Sequence, residues 1–141
     1  MPPARTNAIS VLYLDTSALA KLVQDEAESA TLKLFLAPSS EWSTSEIAIV
    51  ELLRFANRNG PGALAGARRV LDGVSLIAAA RDLLDLAAIL EPGTLRSLDA
   101  IHLASALTLG DELEAVVTYD RRMQGAAESL GIRVEAPGQQ P

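Results

Sequence analysis

Apolar residues in this chain fall into short blocks that alternate between two spacings. Val11-Leu12-Tyr13-Leu14 is a continuous apolar run of strand length that ends on Asp15, and such a run reads as a strand buried on both faces. Ala115-Val116-Val117-Thr118-Tyr119 is a similar run and ends on Asp120. Between them, apolar positions three and four residues apart predict helices over Ser17–Val23, Ala27–Leu36, Glu46–Asn59, Ala63–Leu71 and Arg81–Leu90. Shorter strands are expected at Glu41–Thr44 and Val74–Ala78, with an edge strand at Ile132–Val134. Ser97 can cap a helix that runs to Leu109 and closes at Gly110, and a last helix runs from Asp120 to Leu130 before Gly131. Strands separated by helices predict an α/β fold, a parallel central sheet of four to five strands with crossovers on both faces. One domain is expected over residues 8–136, followed by a disordered tail over residues 137–141.

Composition narrows this plan. With 141 residues, 49% apolar and only 4% aromatic, the chain holds one sizeable core of Leu, Ala, Val and Ile. There is no cysteine and a single histidine, His102, which excludes thiolate sites and argues against a zinc site built from several imidazoles. Met1 to Asn7 lacks the apolar core of a secretory signal. The apolar run Leu76–Ala80 is far shorter than the roughly 20 residues of a spanning helix. A soluble, cytoplasmic protein with no membrane partner is expected. The net charge of −6 weighs against nucleic-acid binding, but less so if carboxylates are gathered on a metal. Arg54, Arg58, Arg68, Arg69, Arg96, Arg121 and Arg122 remain available as local phosphate-binding patches.

The candidate chemistry lies in the acids. In a parallel sheet both strand-end aspartates, Asp15 and Asp120, point to the same rim, where open α/β sheets collect ligands. Glu51 interrupts a helical apolar stripe between Ile47 and Phe55, and Asp99 does so between Leu95 and Leu103. Simpler roles exist for each: an ion pair of Glu51 with Arg54 or Arg58, a helix-dipole position for Asp99, and helix caps for Asp15 and Asp120. As a set they are harder to dismiss, since two carboxylates about 5 Å apart repel by roughly 3 kcal/mol at an effective dielectric near 20. Mg²⁺ or Mn²⁺ relieves this, takes oxygen ligands and can activate water against a phosphodiester. Ser17 and Thr118 are possible hydroxyl partners of a carboxylate or phosphate. His102, one turn beyond Asp99, fits a satisfied structural histidine better than a general base.

Four stretches carry a family resemblance: Leu14-Asp15-Thr16-Ser17-Ala18-Leu19, Ile49-Val50-Glu51-Leu52-Leu53-Arg54, Leu98-Asp99-Ala100-Ile101-His102-Leu103-Ala104 and Val117-Thr118-Tyr119-Asp120-Arg121-Arg122-Met123. In this order the chain resembles the PIN domain, and within it the VapC-type ribonuclease toxins of bacterial toxin–antitoxin pairs. The resemblance implies that Asp15, Glu51, Asp99 and Asp120 form an acidic quartet around Mg²⁺ or Mn²⁺, with Ser17 and Thr118 in support. It also implies endoribonuclease activity on structured RNA, commonly tRNA or rRNA, and a homodimer held in check by a small VapB-type antitoxin. That antitoxin often inserts an arginine among the carboxylates. Among the rivals, a receiver-type phospho-acceptor module wants a lysine after a late strand, whereas the lysines here are Lys21 and Lys33. A haloacid-dehalogenase-like phosphatase wants a second aspartate where Ser17 stands. A catalytically silent PIN-like binding protein would not need the quartet.

Overall fold

The run Val11–Leu14 forms strand β1, buried at every position. The computed structural model describes residues 9–39 and 41–141; the expected domain start at residue 8 lies outside them. After β1 come helices α1 (Thr16–Val23) and α2 (Ser29–Leu36), strand β2 (Trp42–Ser45), and helices α3 (Ile47–Asn57) and α4 (Pro61–Asp72). Strand β3 (Ser75–Ile77), helices α5 (Arg81–Ile89) and α6 (Ser97–Leu107), strand β4 (Leu113–Val117), helix α7 (Arg121–Ser129) and strand β5 (Val134–Glu135) complete the order. The strands form one sheet in the order β3-β2-β1-β4-β5, parallel at every pairing. The expected α/β architecture is borne out.

Strand alternation divides the core between two faces. Leu12, Leu14, Ala115 and Val117 pack with Leu19, Leu32 and Leu52 of α1, α2 and α3. Tyr13 and Val116 point the other way, onto Leu103 of α6 and Met123 of α7. Helix α5 packs beside α6 through Leu83, Ala87, Ala100 and Ala104. Because β1 is covered on both sides, its sequence reads as a continuous apolar run rather than an alternating one.

Element ends shift from their expected places for local reasons. Helix α2 begins at Ser29, whose hydroxyl donates to the Lys21 carbonyl and accepts from the Glu26 amide, holding the preceding residues in a turn. Helix α4 begins at Pro61, where the missing N–H costs nothing. Ser97 is the first helical residue of α6 and not its cap; the extended cap position is Arg96. Strand β4 ends at Val117, whose carbonyl accepts from the Asp15 amide. The Thr118 hydroxyl then accepts from the Asp120 amide and turns the chain into α7.

The tail expected to be disordered makes contacts with the domain. Tyr119 Oη donates to the Pro137 carbonyl at 2.8 Å, and Gln139 joins the Tyr119 carbonyl at 2.8 Å and Gln124 at 2.7 Å. Among the described residues no helix is long and apolar enough to cross a membrane.

Candidate active site

The chain leaves β1 toward β2 on one side and later fills the other side with β4. The carboxyl ends of β1 and β4 therefore flank the topological switch point, the position where open α/β sheets form their binding crevice. Asp15 stands there, directly after β1, and caps α1 through its Oδ1 and the Ala18 amide at 3.1 Å. Ser17 Oγ donates to the same oxygen at 2.6 Å, and Thr118 Oγ1 donates to Oδ2 at 2.6 Å. Only 3% of Asp15 is accessible. Burial pushes its carboxyl above the ordinary value, against the hydroxyl and amide donors that favour the charged form.

That direction has a measurable consequence. A carboxyl raised by folding binds more protons in the folded chain than in the unfolded one. Stability therefore falls as pH rises from its ordinary value of 3.8 through the raised one. Asp15→Asn is expected to flatten that descent in metal-free urea unfolding as pH rises above the ordinary value of 3.8. An identical descent in the variant would assign it to other groups.

Glu51 projects from α3 at the edge of the helix's buried face, which is made by Ala48, Leu52 and Ala56. Its partners are neither Arg54 nor Arg58. Thr16 Oγ1 donates to Glu51 Oε1 at 2.6 Å, and His102 Nε2 lies 2.8 Å from the same oxygen. Burial opposes the charge on Glu51, yet the hydrogen bonds from His102 and Thr16 outweigh it and hold the carboxyl below its ordinary value. His102 is 2% exposed, and its Nδ1 lies 2.7 Å from Tyr13 Oη. Burial pushes the Tyr13 phenol far above its ordinary range, so it stays protonated. The network is satisfied when Tyr13 donates to Nδ1 and Nε2–H donates to Glu51.

Asp99 and Asp120 meet through a cation. Arg96 Nε donates to Asp99 Oδ2 at 3.1 Å, and its Nη2 donates to Asp120 Oδ2 at 3.1 Å. Asp120 Oδ1 caps α7 by accepting from the Arg122 and Met123 amides. The side chain of Arg96 is 63% accessible, while those of Asp99 and Asp120 are 14% and 25% accessible.

Asp15, Ser17 and Thr118 thus form one hydrogen-bonded group, Glu51 a second with Thr16 and His102, and Asp99 and Asp120 a third through Arg96. Helix α6 carries both Asp99 and His102 and so links the last two groups. Among the described residues, no three of His, Asp or Glu are already drawn together as a set of metal ligands. The donors that face the rim are carboxylate oxygens, the chemistry preferred by hard divalent cations. A guanidinium already bridging Asp99 and Asp120 shows that positive charge is accommodated between them. Sequence reasoning expected Glu51 and Asp99 to be the buried acids; the deeply buried one is Asp15. It also passed over Thr16 and Tyr13 as partners of the Glu51–His102 pair.

The PIN domain family model matches residues 12–129 of this chain. The chain is 41% identical over 133 residues to Ribonuclease VapC47 of Mycobacterium tuberculosis, a match covering 91% of this chain and 98% of that protein. Its fold is similar to that of the Mycobacterium tuberculosis VapC20, a sarcin-ricin loop cleaving toxin, with a TM-score of 0.67 at 22% identity over 82% of this chain and 94% of that one. A chain of a toxin–antitoxin complex from Klebsiella pneumoniae matches with a TM-score of 0.68 at 22% identity, over 91% of this chain and 98% of that one.

Proposed function

The chain belongs to the PIN-domain family and to its VapC-type ribonucleases, and from that premise we propose that it is a metal-dependent endoribonuclease, the toxin of a toxin–antitoxin pair. The observation that carries this reading is the set of carboxylates from β1, α3, α6 and the β4–α7 turn along the rim at the switch point, each with a hydrogen-bond donor fixing it. Asp15, Glu51, Asp99 and Asp120 would hold Mg²⁺ or Mn²⁺. When bound, such an ion supplies Lewis-acid activation of water and of a phosphodiester oxygen.

The protein's own residues supply the orientation. Ser17 and Thr118 hold both oxygens of Asp15 so that the carboxylate does not rotate. Thr16 and His102 hold Glu51 charged and aimed, a supporting arrangement of the kind that tunes metal ligands. Arg96 offsets one of the two charges of Asp99 and Asp120. Structured RNA, tRNA or rRNA, is the proposed substrate. A homodimer, inhibited by a small antitoxin whose C-terminal segment covers the rim, is the proposed assembly. The Arg96 bridge supports that mode of inhibition, because a partner's guanidinium would find the same bidentate acceptors.

Purified protein incubated with total RNA and Mg²⁺ or Mn²⁺ is expected to give discrete new 5′ ends, lost in EDTA and recovered with excess metal. Equal cleavage in EDTA would sink the metal reading. Absence of cleavage at any metal concentration would leave the silent binding protein as the better account.

A further inference from the structure

A cavity of about 540 Å³ opens beside the acidic rim, between the segment leading into α6 and one face of α7. Its wall includes Asp99 and Arg96 from the rim, and Arg121 and Arg122 from α7. Pro92 and Leu95 give it an apolar side. The volume lies within the range of small-ligand pockets, about 300 to 1,000 Å³. Two features make it chemically distinct from the rest of the molecule. Three arginines line a single hollow in a chain whose net charge is −6. Asp99 and Arg96 belong to both cavity and rim, so the two spaces are continuous.

The arginines differ in what already occupies them. Arg96 is engaged by Asp99 and Asp120. Arg121 donates to the Gln140 carbonyl of the tail. Arg122 forms no ion pair among the described residues, and both α7 arginines are exposed. A backbone carbonyl is a neutral, replaceable acceptor, whereas a phosphate would give charge-assisted bonds. Positive charge thus lines the cavity directly beside acids that would hold the metal, and a polyanionic strand needs this arrangement to cross a carboxylate site.

We propose that this cavity is a phosphate-binding subsite that seats the nucleotide next to the scissile bond, with Arg121 and Arg122 holding its phosphate and the Pro92–Leu95 side receiving its sugar or base. The proposal rests on the endoribonuclease reading. It fixes the direction in which RNA leaves the rim, along α7, and assigns the cavity to single-stranded RNA backbone.

The test is the salt dependence of binding to a fluorescein-labelled 2′-O-methyl oligouridylate in Mg²⁺, read by anisotropy, with gels confirming that the probe stays intact. For single strands the slope of log K against log salt is about −0.7 per phosphate neutralised. The double variant Arg121→Gln/Arg122→Gln, which releases that one phosphate, is expected to make it shallower by about 0.7. A matched loss of charge at Lys33→Gln/Arg81→Gln, exposed residues on α2 and α5, is expected to leave it unchanged. Equal slopes for the wild type and the α7 variant, or equal shifts for the two variants, overturn the subsite. If the wild type still cleaves RNA in that case, the nuclease reading survives. A wild type that neither binds nor cleaves RNA overturns both.

Discussion

Asp15→Asn is expected to reduce metal-dependent RNA cleavage by at least about a thousandfold, equivalent to roughly 4 kcal/mol of transition-state stabilisation, with the fold retained. The amide keeps the shape of the carboxylate, and the hydroxyls of Ser17 and Thr118 can reorient to serve it. What is lost is a buried charge that the proposed metal site would require. Asp99→Asn is expected to abolish cleavage as well, and to separate chemistry from stability in a second way. Removing one of two neighbouring acids relieves repulsion, but Asp99 already pairs with Arg96, whose side chain is 63% accessible, and exposed pairs contribute little. In EDTA this variant should therefore melt close to wild type. Thermal melts with and without Mn²⁺ check both expectations: the metal-induced rise should vanish in each variant. Full activity of either on RNA would overturn the ligand assignment, and a large loss of melting temperature for Asp99→Asn in EDTA would make that residue structural.

The second large effect is on the fold itself. His102→Ala is expected to cost about 3 kcal/mol, combining a cavity in the core with a buried Tyr13 hydroxyl left without its partner. It also frees Glu51 from its strongest neighbour, so cleavage should fall by about 10- to 100-fold, the usual penalty for losing a group that orients a metal ligand. Urea unfolding and cleavage rates at saturating metal measure the two together. A loss of cleavage as deep as that of Asp15→Asn with stability unchanged would instead mark His102 as a proton-transferring group.

Comparing sequence with structure shows which information is local. Asp15 was legible because a strand-length apolar run delivers it, and β1 forms where that run lies. Asp120 was legible as a cap, although β4 ends at Val117, earlier than its apolar run; the Thr118 amide still reaches the Glu135 carbonyl while its hydroxyl serves Asp15. The Arg96–Asp99 pair has helical spacing and could be read from sequence; its extension to Asp120 joins residues 24 positions apart and could not. Glu51 suggested partners on its own helix, at Arg54 and Arg58. The actual partners, Thr16 and His102, lie 35 and 51 positions away. Apolar periodicity locates helices and their buried stripes, but it does not say which helices meet above a sheet edge. For the same reason the depth of Glu51 and Asp99 was overread: an acid at the margin of an apolar stripe resembles one at its centre.

The position of β1 in the middle of the sheet has a consequence for how the chain is made. Its neighbours are β2, which follows soon after it, and β4, which is contributed by the last third of the sequence. A growing chain that stops before residue 113 leaves one edge of β1 unpaired and lacks Thr118 and Asp120 altogether. No fragment that ends before residue 113 can then carry the proposed rim. Products cut short before β4 therefore lack the proposed site for a topological reason.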